Sequence, residues 1–92
     1  MARIVITLRV MPENITTDLV ALEKTCLNVI KKSYSTSEFK TAVEPIAFGI
    51  KAINIMFVAD ENSGSTESLE KEIRAIEGVE SVEVIDVRRA IG

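Results

Sequence analysis

The sequence predicts an α+β fold in which two helices cover one face of a four-stranded antiparallel sheet. Three observations lead to this prediction. Residues 2–11 alternate apolar and polar side chains, residues 15–30 place apolar side chains three or four positions apart, and both patterns recur later in the chain. Alternation with a period of two is typical of strands, and the longer spacing is typical of helices. A chain of 92 residues fits one domain, residues 1–92.

The first strand and the first helix each have one apolar face. In the strand, the apolar face is made by Ile4, Ile6, Leu8 and Val10, and the polar face by Arg3, Thr7 and Arg9. In the helix, the apolar stripe is Ile15, Leu19, Leu22, Cys26, Val29 and Ile30. We expect Thr16 or Thr17 to be its N-cap, because a hydroxyl oxygen can accept a hydrogen bond from the first turn. The helix is expected to end within residues 33–37.

The middle of the chain predicts two strands that differ in burial. Residues 38–43 are moderately polar, which favours an edge strand that leads into Glu44 and Pro45. Residues 50–59 are almost all apolar, which favours a strand in the centre of the sheet. A turn is expected at residues 60–65.

The last third of the chain predicts a second helix and a fourth strand. Leu69, Ile73 and Ile76 have helical spacing, and Gly78 is well placed to be a left-handed C-cap. Residues 79–87 are rich in valine, so they form the last strand, which ends near Arg88.

The element order is therefore β-α-β-β-α-β. Right-handed crossovers place both helices on one face of a sheet with strand order 4-1-3-2, which is the ferredoxin-like α+β sandwich. The other face of the sheet is expected to stay at least partly open, and it would carry Arg3, Thr7, Arg9, Asn54 and Met56.

Composition and charge limit the kinds of function that this chain can have. The chain is 47% hydrophobic with a net charge of −3, as expected of a folded globular protein. It has neither a signal-peptide layout nor an apolar run long enough to cross a membrane, so we expect a cytoplasmic protein without a membrane partner. Residues 60–86 hold nine acidic side chains against two basic ones, which gives one side of the molecule a negative charge.

The usual parts of several functional sites are missing from the sequence. The chain has no histidine and one cysteine, which argues against a metal site and a disulfide. The four glycines are scattered, and no nucleophile stands beside a base, so we expect neither a bound cofactor nor an enzyme. An RNA-binding sheet would carry stacking aromatics and basic side chains, but the sequence pI is about 5.0, so direct nucleic-acid binding is not expected.

Two polar or reactive features have ordinary structural explanations. Cys26 lies on the apolar stripe of the first helix, where a free cysteine behaves as a small hydrophobe, so we expect it in the core. Asp60 and Glu61 could coordinate a cation, but adjacent acids before a helix more often favour the helix N-terminus.

The segment 44–51, Glu-Pro-Ile-Ala-Phe-Gly-Ile-Lys, is the first candidate site. It places Pro45, Ile46 and Phe48 at the connection between the second and third strands, where exposed apolar side chains suggest docking. The alternative is that Ile46 and Phe48 fold back over the edge of the sheet, and the residues alone do not decide between the two.

The segment 86–92 is the second candidate site, because Arg88 and Arg89 end the last strand beside the acidic stretch. Arginine suits carboxylate or phosphate partners. The alternative is a frayed, solubilising terminus whose arginines pair with their own acidic neighbours.

These segments together resemble a known family. Met-Pro-Glu at 11–13, the segment 44–51, Ile-Glu-Gly-Val at 76–79 and Asp-Val-Arg-Arg at 86–89 are similar, in order and spacing, to archaeal translation elongation factor 1-beta. The similarity runs from end to end of the chain. The family has the ferredoxin-like sandwich and corresponds to the exchange domain of the eukaryotic factor.

The resemblance implies a function and a partner. The partner would be the elongation factor 1-alpha GTPase, which carries aminoacyl-tRNA, and the chain would speed exchange of its GDP for GTP. In eukaryotic relatives a phenylalanine matching Phe48 enters an apolar pocket of the GTPase. Pro45, Ile46 and Gly49 would then set its presentation, and Lys51 matches a basic position.

One departure from the family concerns the end of the sequence. Eukaryotic members carry a penultimate lysine that reaches the magnesium and phosphate region of the GTPase, whereas Ile91 stands at this position. Arg88 or Arg89 could supply the charge instead, or the GTPase's own elements could move. A small-molecule-binding regulatory module of this fold remains the alternative function. An acyl phosphatase-like enzyme would require a phosphate-binding loop after the first strand, but residues 11–14 offer a proline and an acidic residue there.

Overall fold

The computed structural model describes residues 3–34, 38–60 and 66–90. Six elements follow one another in the predicted order: β1 (Arg3–Pro12), α1 (Leu19–Tyr34), β2 (Phe39–Ala47), β3 (Ile50–Asp60), α2 (Glu67–Arg74) and β4 (Val79–Ala90). The strands form one sheet in the order β2-β3-β1-β4, with every neighbouring pair antiparallel. The ferredoxin-like α+β sandwich and its strand order are therefore confirmed.

The core lies between the helices and one face of the sheet. Along the central strands, Ile6 pairs with Phe57, Leu8 with Ile55 and Val10 with Ile53, and all six side chains are buried. The helices contribute Leu22, Cys26, Ile30, Leu69 and Ile73 to the same cluster. Burial of each large aliphatic side chain contributes about 1.5–3 kcal/mol, so this layer holds both helices on one face.

The first helix begins later than predicted. The carboxylate of Asp18 accepts hydrogen bonds from the backbone N–H groups of Val20 (3.1 Å) and Ala21 (3.2 Å), so Asp18 is the N-cap. The prediction of Thr16 or Thr17 was wrong because both hydroxyls instead donate to the Asn14 side chain in the preceding turn. Ile15 consequently lies outside the helix and outside the core.

The second helix ends before the glycine that was predicted to cap it. Its C-cap is Ala75, with right-handed backbone angles. Gly78 does adopt a positive φ of 98°, but in the turn that enters β4. There it exchanges hydrogen bonds with Glu13, whose N–H donates to the Gly78 carbonyl at 2.9 Å and whose carboxylate accepts from the Gly78 N–H at 3.1 Å. The glycine therefore joins two loops.

Both edge strands are longer than predicted, and each contains an irregularity. β2 continues through Glu44 and Pro45 to Ala47, with a register shift between Pro45 and Ala47. β4 continues to Ala90, and its pairing with β1 shifts between Thr7 and Leu8. The first helix was predicted to end within residues 33–37, and its described part continues through Tyr34. Residues 35–37 and most of the predicted turn at 60–65 lie outside the described residues.

Candidate functional site

The β2–β3 hairpin closes with two residues in left-handed conformation. Phe48 has φ 53° and Gly49 has φ 79°, the pattern of a type I′ turn, which matches the twist of a hairpin. The first of these positions usually holds asparagine, aspartate or glycine, because a left-handed residue with a Cβ costs roughly 1–2 kcal/mol. A phenylalanine here is therefore unfavourable for the fold itself.

The side chain of Phe48 projects into solvent from this turn and is 97% exposed. Ile46, next to it on the edge strand, is 43% exposed. The alternative in which these side chains fold back over the sheet edge is therefore wrong for Phe48. The hairpin instead presents an aromatic side chain on a tight turn, with Pro45 and Lys51 exposed on the two strands beneath it.

A second exposed apolar residue lies at the same end of the molecule. Ile15, in the loop between β1 and α1, is 67% exposed, and its Cγ2 lies 3.6 Å from where a Cβ on Gly49 would be. Between them is a cleft of about 200 Å³, lined in part by Pro12, Leu19 and Lys51. This volume is below the roughly 300–1,000 Å³ of typical small-molecule sites, which favours contact with a protein surface.

The loop that carries Ile15 is held by a dense set of hydrogen bonds. The Asn14 Oδ1 atom accepts from the Thr16 N–H at 2.9 Å and from the Thr16 hydroxyl at 2.6 Å, which forms an Asx turn. The Glu13–Gly78 bonds tie the same loop to the start of β4. Sequence reasoning missed Ile15 because it extended the helical stripe too far, although Asn14 ahead of two threonines was a turn signal.

The two arginines of the second candidate segment lie at the opposite end of the sheet. Arg88 pairs with Val5, and Arg89 pairs with Ile4, which faces Ala59 on β3. Ala59 stands eight residues from Lys51 along β3, a distance of about 27 Å at the rise of an extended strand. The structure therefore brings Pro45, Ile46, Phe48, Gly49 and Lys51 together, but not Arg88 and Arg89.

Arg88 has an acidic neighbour on its own strand. Its Nε atom lies 2.8 Å from Asp86 Oδ2, and the arginine side chain is 78% exposed. Exposed ion pairs of this kind contribute little to stability, so the guanidinium stays accessible to a partner. Arg88 thus pairs with an acidic neighbour, as in the second interpretation of the tail. Residues 88 and 89 are not frayed, however, because β4 holds both of them against β1.

A row of polar side chains crosses the open face of the sheet. The register places Arg9 beside Asn54, and the Arg9 Nη2 atom lies 3.0 Å from the Glu44 carboxylate. Asn54 also donates to that carboxylate, at 3.2 Å. On the other side, Arg9 Nη1 lies 3.8 Å from Glu83. The prediction of a partly open face is confirmed at Arg3 and Met56, which are exposed, but Thr7 is buried. Around Arg9 the face is a network rather than a layer of solvated side chains.

Cys26 is fully buried in the core, as expected. Burial, with a smaller contribution from the negative charge of Glu23, raises the pKa of its thiol to about 11. A protonated, inaccessible thiol is a poor nucleophile, so Cys26 acts as a packing residue.

Two further properties concern the described ranges 3–34, 38–60 and 66–90. None of the helices there is both long enough and apolar enough to cross a bilayer. In the same ranges, no three acidic or cysteine side chains gather into a group that could hold a metal ion.

The sequence matches a known domain family over nearly its whole length. The pattern of the EF-1 guanine nucleotide exchange domain matches residues 5–90. The chain is 44% identical to elongation factor 1-beta of Methanothermobacter thermautotrophicus, with coverage of 97% of this chain and 98% of the relative. It is 38% identical to the protein of the same name from Staphylothermus marinus, again over 97% and 98% of the two chains.

Solved structures that resemble the fold are more distant in sequence. A de novo designed protein, Foldit4, superposes with a TM-score of 0.64 at 17% identity and covers 98% of both chains. The BlrP1 BLUF protein superposes with a TM-score of 0.56 at 13% identity, over all of this chain and 57% of the other. At these identities the likeness shows the fold alone.

Proposed function

The chain belongs to the EF-1 guanine nucleotide exchange domain family and acts as a nucleotide exchange factor in translation elongation, and from this premise we propose that its target is the elongation factor 1-alpha GTPase. In this proposal the GTPase is bound through the hairpin end of the sandwich. The chain contributes binding energy and no covalent chemistry of its own.

Exchange by such a factor is a coupling between two binding sites on the GTPase. The factor stabilises the nucleotide-free conformation, so that factor and nucleotide weaken each other's binding by the same ratio. This ratio cannot exceed the factor by which the chain's affinities for the two GTPase conformations differ. A side chain that fits a pocket of one conformation and not of the other supplies that difference.

The observation that carries the proposal is the presentation of Phe48. Its side chain is 97% exposed, and its backbone is left-handed at φ 53°. Both properties are unfavourable for an isolated domain, whereas a protruding aromatic side chain is the usual anchor of a protein interface. We propose that Phe48 enters an apolar pocket of the GTPase, while Ile46 and Ile15 cover the rim of that pocket.

Arg88 and Arg89 contact a second region of the GTPase in this proposal. They lie about 27 Å from the hairpin along the sheet, too far for one pocket to take both. Arginine binds carboxylate and phosphate groups through several parallel donors, so these residues suit the acidic or phosphate-bearing surroundings of the nucleotide. The proposal therefore has one apolar anchor and one basic contact.

Release of a fluorescent GDP analogue from the elongation factor 1-alpha GTPase of the same organism tests the target. We expect the unmutated chain to accelerate release, and Phe48→Ala to reduce the acceleration by at least tenfold because the anchor is lost. Arg88→Ala and Arg89→Ala test the second contact in the same assay. Ile85→Ser is a matched control, because Ile85 is also exposed but lies between the two ends of the sheet, outside both candidate segments.

The possible results separate the target from the anchor. Unchanged release in the presence of the unmutated chain would rule out the proposed target. Accelerated release that survives Phe48→Ala would keep the target and remove Phe48 from the site.

A further inference from the structure

The end of strand β2 is held to the sheet in an unusual way. β2 is an edge strand with β3 as its neighbour, and seven of its nine residues are exposed. The two half-buried residues are Phe39, which packs against the core at the start of the strand, and Glu44, which precedes the hairpin turn. Near the turn, therefore, the side chain that fastens β2 to the rest of the molecule is a carboxylate.

Glu44 connects β2 to both central strands. Its Oε1 atom accepts from Asn54 Nδ2 on β3 at 3.2 Å and lies 3.0 Å from Arg9 Nη2 on β1. The side chains of Arg9 and Glu44 are 30% and 42% exposed, so the charge-assisted contact is partly shielded from water. Glu83 on β4 is the more distant and more exposed partner of Arg9, at 3.8 Å, and contributes less.

The network is not fully satisfied. Arg9 Nε and Asn54 Oδ1 are buried and have no hydrogen-bond partner. A partly satisfied polar network stabilises a fold less than apolar side chains of the same volume would. A contribution to stability therefore does not explain why these polar residues are present. A role in fixing the geometry at the base of the hairpin explains them better.

We propose that Glu44, held by Arg9 and Asn54, is a positioning residue that fixes the β2–β3 hairpin so that Phe48 is presented to the partner in one orientation. The inference rests on the proposed function, because Phe48 must be the anchor for its orientation to matter. Glu44 acts through Phe48 and does not itself contact the partner. The same carboxylate is thus important for exchange although it lies four residues before the anchor.

A double-mutant cycle in the GDP-release assay tests this dependence. Glu44→Ala alone is expected to raise the concentration of the chain needed for half-maximal acceleration roughly tenfold, a typical coupling between interacting residues. In the Phe48→Ala background, the same change is expected to have less than a twofold effect. Glu44→Gln keeps an acceptor for Asn54 and is expected to fall between the unmutated chain and Glu44→Ala.

Glu38→Ala is the matched control. Glu38 precedes β2 and pairs with Arg3 at 3.2 Å, so the control removes an ion-paired carboxylate at the other end of the strand. We expect less than a twofold effect. An equal loss from Glu44→Ala with and without Phe48 would overturn the proposal, because Glu44 would then act independently of the anchor.

A second measurement does not depend on the partner. Backbone ¹⁵N relaxation of the free protein is expected to show lower order parameters at Phe48 and Gly49 in Glu44→Ala, and unchanged ones in Glu38→Ala. Unchanged order at the turn in Glu44→Ala would overturn the positioning role. Failure of the unmutated chain to accelerate GDP release would refute the proposed function instead, while the relaxation result would still report on the hairpin.

Discussion

At Phe48 the backbone and the side chain are both in unfavourable states. A type I′ turn has two left-handed residues, and an aromatic side chain at the first of them is disfavoured by contact of its Cβ with the backbone. The ring gains nothing from the fold, because it is almost fully in solvent. This residue is therefore a place where stability and binding require different amino acids.

Replacement of Phe48 by asparagine separates the two requirements. We expect Phe48→Asn to raise the free energy of unfolding by about 1 kcal/mol, because asparagine suits the left-handed position. We expect the same variant to lose acceleration of GDP release by tenfold or more. Urea denaturation and the release assay measure the two effects. Phe48→Ala is the control, because it removes the ring but keeps a residue that disfavours the left-handed backbone conformation. A lower free energy of unfolding in Phe48→Asn would contradict the argument.

Cys26 makes stability depend on alkaline pH. Its folded-state pKa, raised to about 11 by burial and by Glu23, exceeds the ordinary value of 9.0. The unfolded chain therefore ionises first, so this contribution is fully present below pH 9 and is lost as pH rises from 9 to about 11. Urea denaturation at pH 8 and pH 10 should show a fall in the free energy of unfolding that is smaller in Cys26→Ala. The pKa of Tyr34 is also raised, by burial and to a smaller extent by Glu70. Its effect on the pH dependence is the same in the unmutated chain and in Cys26→Ala, so it cancels in the comparison.

The elements were largely predictable from the sequence because their signals are local. Alternation in β1 and the apolar run of β3 are properties of consecutive residues, and they placed both strands correctly. The start of α1 was not predictable in this way. The side chain of Asn14 accepts hydrogen bonds from the hydroxyls of Thr16 and Thr17, so neither threonine caps the helix. The loop is also fixed by hydrogen bonds with Gly78, which is distant in sequence. Asp18 is therefore the residue that caps the helix.

The same distinction holds for the candidate site. Phe48 could be identified from its segment, since the hairpin turn and its apolar residues are contiguous. Ile15 could not, because its position beside the hairpin depends on where α1 begins. Glu44 was visible as the start of a motif, but its bonds to Arg9 and Asn54 depend on the register of three strands. The separation of Arg88 from Phe48, by contrast, follows from the predicted strand order.

The Ile15 side chain, on the β1–α1 loop, should contribute to binding but little to stability. Ile15 is mostly exposed on a loop held by Asn14 and Glu13, so its side chain can change without disturbing the core. We expect Ile15→Ser to change the free energy of unfolding by less than about 0.5 kcal/mol. We expect it to weaken the interaction with the GTPase three- to tenfold, as measured by titration of GDP release. An effect no larger than that of Ile85→Ser would exclude the loop from the site.

The two candidate contacts lie about 27 Å apart along the sheet, in a molecule whose longest dimension is 42 Å. Residues this far apart, with no shared neighbours, change binding independently of one another. Combined Phe48→Ala and Arg88→Ala substitutions are therefore expected to multiply their separate fold-losses in the release assay. The same holds for Phe48→Ala combined with Arg89→Ala. A combined loss well below the product would show that both ends act on a single element of the partner.

The irregular edges of the sheet have a consequence for how copies of this chain behave toward one another. An open β-edge can template pairing with a second chain, and exposed apolar side chains increase that risk. Here Pro45 removes a backbone donor from β2, and the shift in pairing between Thr7 and Leu8 interrupts β4 near the exposed Ile85 and Val87. Neither edge offers a continuous ladder to a neighbouring copy. The domain can therefore expose an aromatic side chain at its tip while its edges resist assembly into aggregates.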